Sequence, residues 1–143
     1  MNTKKILVIE DNQKHLADAK TFFADKPEYQ VEYVENGNKA MTLLRDTAYS
    51  AVVTDIFMPW DEQYPNEEPI GFGIAMFCQK QKIPCVMNTA VHHHGARHQW
   101  ISTLIYDLGL PQAVRAYGVD REAEAETKKW PEVAEKLRGL CGV

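Results

Sequence analysis

The sequence predicts an α/β fold, a doubly wound parallel sheet with helices on both faces. Two observations predict it. Short apolar runs suited to buried strands, at 5–9, 51–54 and 83–87, alternate with stretches whose apolar residues recur at helical spacing. Those runs also end in polar or acidic residues, first Glu10 and Asp11, then Asp55, then Asn88 and Thr89. The C-terminal ends of parallel strands are where open α/β sheets place their chemistry. The chain has 143 residues, 45% hydrophobic and 25% charged, which suits one globular domain with its own core, expected to span 1–143.

The first strand is the continuous apolar run from Lys5 to Ile9, the pattern of a strand buried on both faces. Asp11 or Asn12 is placed to cap the helix that follows. That helix carries Leu16, Ala19, Phe22 and Phe23 on one side and is expected to reach about Asp25 or Lys26, where Pro27 stops it. Tyr29, Val31 and Tyr33 alternate with Gln30 and Glu32, as in a half-exposed edge strand. Asn36, Gly37 and Asn38 form a turn and cap, and Ala40, Leu43 and Leu44 mark a second helix. The central strand runs from Ala51 to Asp55, and Pro59 ends the extended segment. The order so far is βαβαβ, which implies parallel strands joined by right-handed crossovers.

Residues 60–69 (WDEQYPNEEP) form an acidic, proline-bearing loop beside the central strand's end. Gly71, Phe72 and Gly73 lead into a third helix with Ile74, Ala75, Phe77 and Cys78, and Ile83 to Met87 is a fourth strand. A helix is expected from about Gln99 to Leu108 and a fifth strand over Gln112–Tyr117. Residues 120–127 are acidic and alanine-rich and receive no assignment. Trp130, Val133, Leu137 and Leu140 follow a helical stripe, with Pro131 in its first turn.

Composition excludes several function classes. The formal net charge is -4 and basic residues are scattered, which argues against a broad phosphate-contacting face for nucleic acid. Cys78, Cys85 and Cys141 make an odd count without CxxC spacing, so they read as reduced thiols, not as a disulfide framework. The apolar run behind the basic start is too short for a signal peptide, and no stretch is long enough to span a bilayer. A soluble cytoplasmic protein without a separate output domain is expected.

Glu10, Asp11 and Asp55 come from the ends of the first and third strands, which should be neighbours, so the acids converge on one rim. Clustered carboxylates repel one another and favour a hard divalent cation, typically Mg²⁺. With such a cation in place, an Asp oxygen can attack a phosphoryl donor in line. A hydroxyl and a fixed cation would complete the site; Thr89 supplies the first, and a lysine near the last strand should supply the second.

These residues carry a family resemblance. The run ILVIED at 6–11, the step DIFMP at 55–59 and NTA at 88–90 occur in the order found in response regulator receiver domains of two-component signalling, and the chain resembles that family. The resemblance is good from Lys4 to about Ala90 and weak from about 91 onward. It implies a flavodoxin-like five-stranded sheet of order 2-1-3-4-5. It implies that Asp55 accepts a phosphoryl group from a histidine kinase or phosphotransfer protein. Asp11, helped by Glu10, would bind Mg²⁺ together with the Asp55 carboxylate and the backbone carbonyl of Phe57. Thr89 would contact the phosphoryl group and act as the switch. Receivers also use a lysine followed by proline. No Lys-Pro pair exists here, and the nearest match is Lys128 in the run KKWP at 128–131, with Lys129 as the rival. The output would pass to a downstream protein, with no direct role for nucleic acid or membrane.

The chain also departs from the family. The 59–71 loop is longer than usual, as is the stretch between Thr89 and Lys128. Ala125, Glu126 and Thr127 stand where an aromatic switch residue is expected, leaving Tyr117 or Tyr106 as substitutes. His92, His93, His94 and His98 include spacings usable by Zn²⁺ or Ni²⁺. No acid or cysteine completes that set locally, so a polar loop on the rim of the acid site is the preferred reading. Residues 71–76 (GFGIAM) look like a broken dinucleotide fingerprint, but they follow a loop and lack the third glycine. Trp60 is open between core, loop anchor and partner contact.

Plainer roles stand beside each of these. Asp55 alone could cap a turn, the acid pair could cap a helix, Thr89 could be a packed hydroxyl and Lys128 a solvated lysine. Two other functions compete. An aspartyl-phosphate hydrolase would need a second Asp two residues beyond the nucleophile, where Phe57 stands. A degenerate receiver would bind a partner without phosphorylation, and the remodelled 91–127 stretch favours it. Clustered carboxylates oppose it, because without a cation they reduce stability.

Overall fold

The computed structural model describes residues 2–89, 100, 103, 104, 107, 113–115 and 130–141. Five parallel strands form one sheet of order β2-β1-β3-β4-β5: β1 (Lys4–Ile9), β2 (Tyr29–Val34), β3 (Ala51–Thr54), β4 (Cys85–Thr89) and β5 (Ala113–Arg115). This is the flavodoxin-like order expected. Four helices complete the described fold, α1 (Gln13–Phe23), α2 (Gly37–Asp46), α3 (Ile70–Gln81) and α4 (Trp130–Cys141). Trp100, Thr103, Leu104 and Asp107 are also helical, within the stretch where a helix was expected.

The strand alternation divides the core in two. Leu7, Ile9, Val52, Cys85 and Met87 point to the face covered by Ala40 and Leu44 of α2 and Ile74, Ala75 and Cys78 of α3. Ile6, Val8, Ala51, Val53 and Val86 point to the other face, with Ala19 and Phe23 of α1 and Trp130, Val133 and Leu137 of α4. Successive strand residues face opposite sides, so continuous apolar runs are what a sheet covered on both faces requires. β2 lies at the edge, and only Tyr29 and Val34 at its ends are buried.

Local chemistry sets the boundaries. Asn12 caps α1 by accepting from the His15 N–H at 3.1 Å, and Asn36 caps α2 by accepting from the Lys39 N–H at 2.8 Å. α1 ends at Phe23, two residues before the expected stop, because the chain tightens there: Ala24 N–H donates to the Thr21 carbonyl and Lys26 N–H to that of Phe23. Its buried line is His15, Ala19 and Phe23, at strict four-residue spacing, while Leu16 and Phe22 are half-buried. α3 begins at Ile70, so Gly71 and Gly73 lie inside the helix and not ahead of it. Lys82 closes α3 with a left-handed φ of 59°, and Ile83 N–H donates to the Cys78 carbonyl at 2.8 Å. Ile83 thus belongs to the helix end, and β4 starts only at Cys85. Cys78, Cys85 and Cys141 are free thiols. No helix among the described residues is long and apolar enough to cross a membrane.

Candidate functional site

The site forms where β1 and β3 end side by side. Ile9 pairs with Thr54, and Asp55 N–H donates to the Ile9 carbonyl at 3.0 Å. Glu10 N–H donates to the Val34 carbonyl of β2 at 2.9 Å, which extends the sheet pairing one step past β1. Glu10, Asp11 and Asp55 therefore leave adjacent strand ends, and one carboxylate oxygen from each lies within 4.8 Å of the others.

Each acid is held differently. Glu10 is 1% exposed, and its Oε2 accepts from the Asn12 N–H at 3.1 Å. Asp55 is half-buried; its Oδ1 accepts from the Ile56 N–H at 2.7 Å, and its carbonyl accepts from the Thr54 hydroxyl at 2.8 Å. Asp11 is half-buried, and its carboxyl is pushed up to about 7. Burial is the main cause, followed by a hydrogen bond with Glu67 and by the charges of Asp55, Glu67 and Glu10.

Glu67 is the residue that sequence reasoning missed. The 60–69 loop is tied down at both ends. Met58 and Glu68 exchange backbone hydrogen bonds of 3.1 Å in an isolated antiparallel bridge. At the other end, the Pro59 and Trp60 carbonyls accept from the Gly37 and Asn38 N–H groups, the otherwise unsatisfied first donors of α2. The loop is thus clamped between α2 and the strand end, and Glu67 comes to Asp11. Its acidic composition was a signal; which acid reaches the site is fixed by the Met58–Glu68 register. Trp60 is a loop anchor, since a Cβ built on Gly37 would fall 2.8 Å from its ring.

α3 approaches the site through Gly71. Its N–H donates to the Ile56 carbonyl at 2.8 Å, and a Cβ built on it would lie 1.6 Å from the Asp55 carbonyl oxygen. Only glycine fits so close to the backbone of Asp55. Phe57 is buried and packs in the core on the α2 and α3 side. Thr89 is the last residue of β4. Lys128, Lys129, His92, His93, His94, His98, Tyr106 and Tyr117 lie outside the described residues.

An all-carboxylate donor set is hard and anionic, suited to a hard divalent cation and unsuited to soft metals. The neighbouring carboxylate charges that add to the rise of Asp11, after burial, are what such a cation would neutralise.

No family model matches the chain, and no curated protein matches it. Solved structures do. A Francisella response regulator receiver domain is 17% identical, with a TM-score of 0.67 over 98% of each chain. The receiver domain of a signal transduction histidine kinase from Syntrophus aciditrophicus is 19% identical, with a TM-score of 0.67 over 98% of this chain and 91% of that one. The non-phosphorylated HemR receiver domain of Leptospira biflexa is 23% identical, with a TM-score of 0.63 over 99% and 96%. With its 2-1-3-4-5 sheet and this likeness over nearly the whole chain, the protein has the fold of response regulator receiver domains.

Proposed function

We propose that the protein is a single-domain receiver that accepts a phosphoryl group on Asp55 from a histidine kinase or phosphotransfer protein, in a Mg²⁺-dependent reaction, and signals through a change of conformation to a downstream protein. One observation carries this reading: Glu10, Asp11 and Asp55 converge at the C-terminal rim of a sheet with the receiver strand order.

Glu10, Asp11, Asp55 and the backbone carbonyl of Phe57 would hold Mg²⁺, which when bound supplies neutralisation of the donor's phosphoryl oxygens. The Ile56 N–H orients the Asp55 carboxylate. A carboxylate oxygen of Asp55 attacks phosphorus, the new O–P bond forms, and the bond to the donor's leaving atom breaks with its electron pair going to the donor. Thr89 contacts the transferred group from the end of β4, and Lys128, with Lys129 as the alternative, balances its charge. The product carries roughly two negative charges where the carboxylate carried one, and it adds three acceptor oxygens at the rim, enough to bias a neighbouring hydroxyl and cation. Phe57 occupies the position where a hydrolase would carry its general acid, and it is committed to the core. Signalling, not turnover of small phosphoesters, is the activity that this site supports.

Acetyl phosphate with Mg²⁺, followed by intact mass, tests the proposal. The expected result is one phosphoryl adduct on the wild type and none on Asp55→Asn. Absence of an adduct on the wild type, with no binding of beryllofluoride, would favour a degenerate receiver that acts without phosphorylation.

A further inference from the structure

Asn88 stands in β4 one residue before Thr89 and is 1% exposed. Neither its Nδ2 nor its Oδ1 has a hydrogen-bond partner among the described residues. A buried amide that has lost water without gaining a partner costs on the order of 1–3 kcal/mol. The strand residues before it, Val86 and Met87, are apolar and equally buried, and an aliphatic side chain at 88 would avoid that cost.

Its place in the sheet is specific. Met87 pairs with Thr54, so the next row sets Asn88 beside Asp55. Neighbouring strands lie about 4.8 Å apart, within the reach of an Asn side chain toward a group extended from the adjacent strand end. On its other side Asn88 pairs with Val114 of β5, so β4 is covered by strands on both edges. Such a buried polar group calls for an explanation, and a partner that arrives in another state supplies one.

We infer that Asn88 is a phosphoryl-binding residue: its side-chain amide, orphaned in the row beside Asp55, donates a hydrogen bond to an oxygen of the phosphoryl group carried on Asp55. The inference rests on the reading of Asp55 as phosphoacceptor. The tetrahedral phosphoryl group adds length and three acceptor oxygens to the Asp55 side chain. A neutral donor also suits the rim, because it adds a directed N–H without altering the charge that the carboxylates present to a cation.

Beryllofluoride with Mg²⁺, a non-covalent stand-in for the phosphoryl group, is titrated against the wild type and Asn88→Leu, with the melting temperature of each free protein measured alongside. The expected result is a variant that melts at or above the wild-type temperature and binds beryllofluoride about tenfold more weakly, as for one lost hydrogen bond to a charged group. A variant that melts lower and binds unchanged would overturn the inference, since the amide would then be structural. Asn88→Ser, too short to reach the adjacent row, should show the same weakening, and unchanged affinity in it would also overturn the role. Failure of the wild type to bind beryllofluoride or to take an adduct from acetyl phosphate removes the reading of Asp55, and this inference with it. Wild-type binding matched by both variants removes only the role of Asn88.

Discussion

Asp11 shows how much of the site's chemistry is set by single residues. Its carboxyl is raised from 3.8 to about 7, first by burial, then by Glu67 and the neighbouring acids. A carboxyl raised by folding binds its proton more tightly in the folded state than in the unfolded one. Stability from this group therefore falls as pH rises from 3.8 to about 7, and the loss is complete above that window. In metal-free buffer, the melting temperature of the wild type relative to Asp11→Asn should fall across this range. Glu67→Gln should narrow the window from its upper end, because it removes one negative charge and one of the contacts that favour the protonated form. A wild-type profile parallel to that of Asp11→Asn would contradict this account. Glu10, Asp11 and Asp55 were legible in the sequence because acids that end apolar strands have few other places to go. Glu67 was not, because four acids share its loop and only the Met58–Glu68 pairing selects it. His15 was missed for a related reason: a stripe drawn through Leu16 and Phe22 hides the buried line through His15, Ala19 and Phe23.

Elements were legible where local chemistry decides them. Asn12 and Asn36 announce α1 and α2 by their capping oxygens, and the apolar runs of β1 and β3 leave no alternative to burial. The start of α3 was not legible. Gly71 and Gly73 read as a loop by propensity, yet Gly71 is required inside the helix because α3 must pass against the backbone of Asp55. This makes Gly71 a sensitive point. Gly71→Ala would gain at most about 1 kcal/mol of helix propensity. Its methyl group would fall 1.6 Å from a backbone oxygen, which no rotamer can relieve. Overpacking of this kind typically costs about 1–3 kcal/mol, so destabilisation wins. A denaturant midpoint below that of the wild type, with slower acquisition of the acetyl phosphate adduct as Asp55 shifts, is the expected outcome. Gly73→Ala is the control, since a Cβ there meets nothing within 4 Å, and it should be neutral or slightly stabilising. Equal behaviour of the two variants would show that α3 does not press on the strand end.

Across the whole molecule, the observed order puts half-exposed β2 at the edge and β1 beside β3 near the centre, so the carboxylates at the ends of β1 and β3 meet between them. The two cores follow from strand parity, with α2 and α3 on one face and α1 and α4 on the other. What connectivity does not encode is the clamp of the 60–69 loop onto α2, a non-local contact made by backbone groups that carry no side-chain signature. The proposed function turns on one atom group in this frame, the Asp55 carboxylate as Mg²⁺-dependent phosphoacceptor. Peptide mapping by mass spectrometry after acetyl phosphate treatment tests it most directly, because it separates an acyl phosphate at residue 55 from a phosphohistidine at 92–94 or 98. A single labelled peptide containing Asp55, formed with Mg²⁺ and absent when EDTA is present throughout, is the expected result. Label on the histidine-bearing peptide, or label on Asp55 that forms in EDTA, would overturn that role.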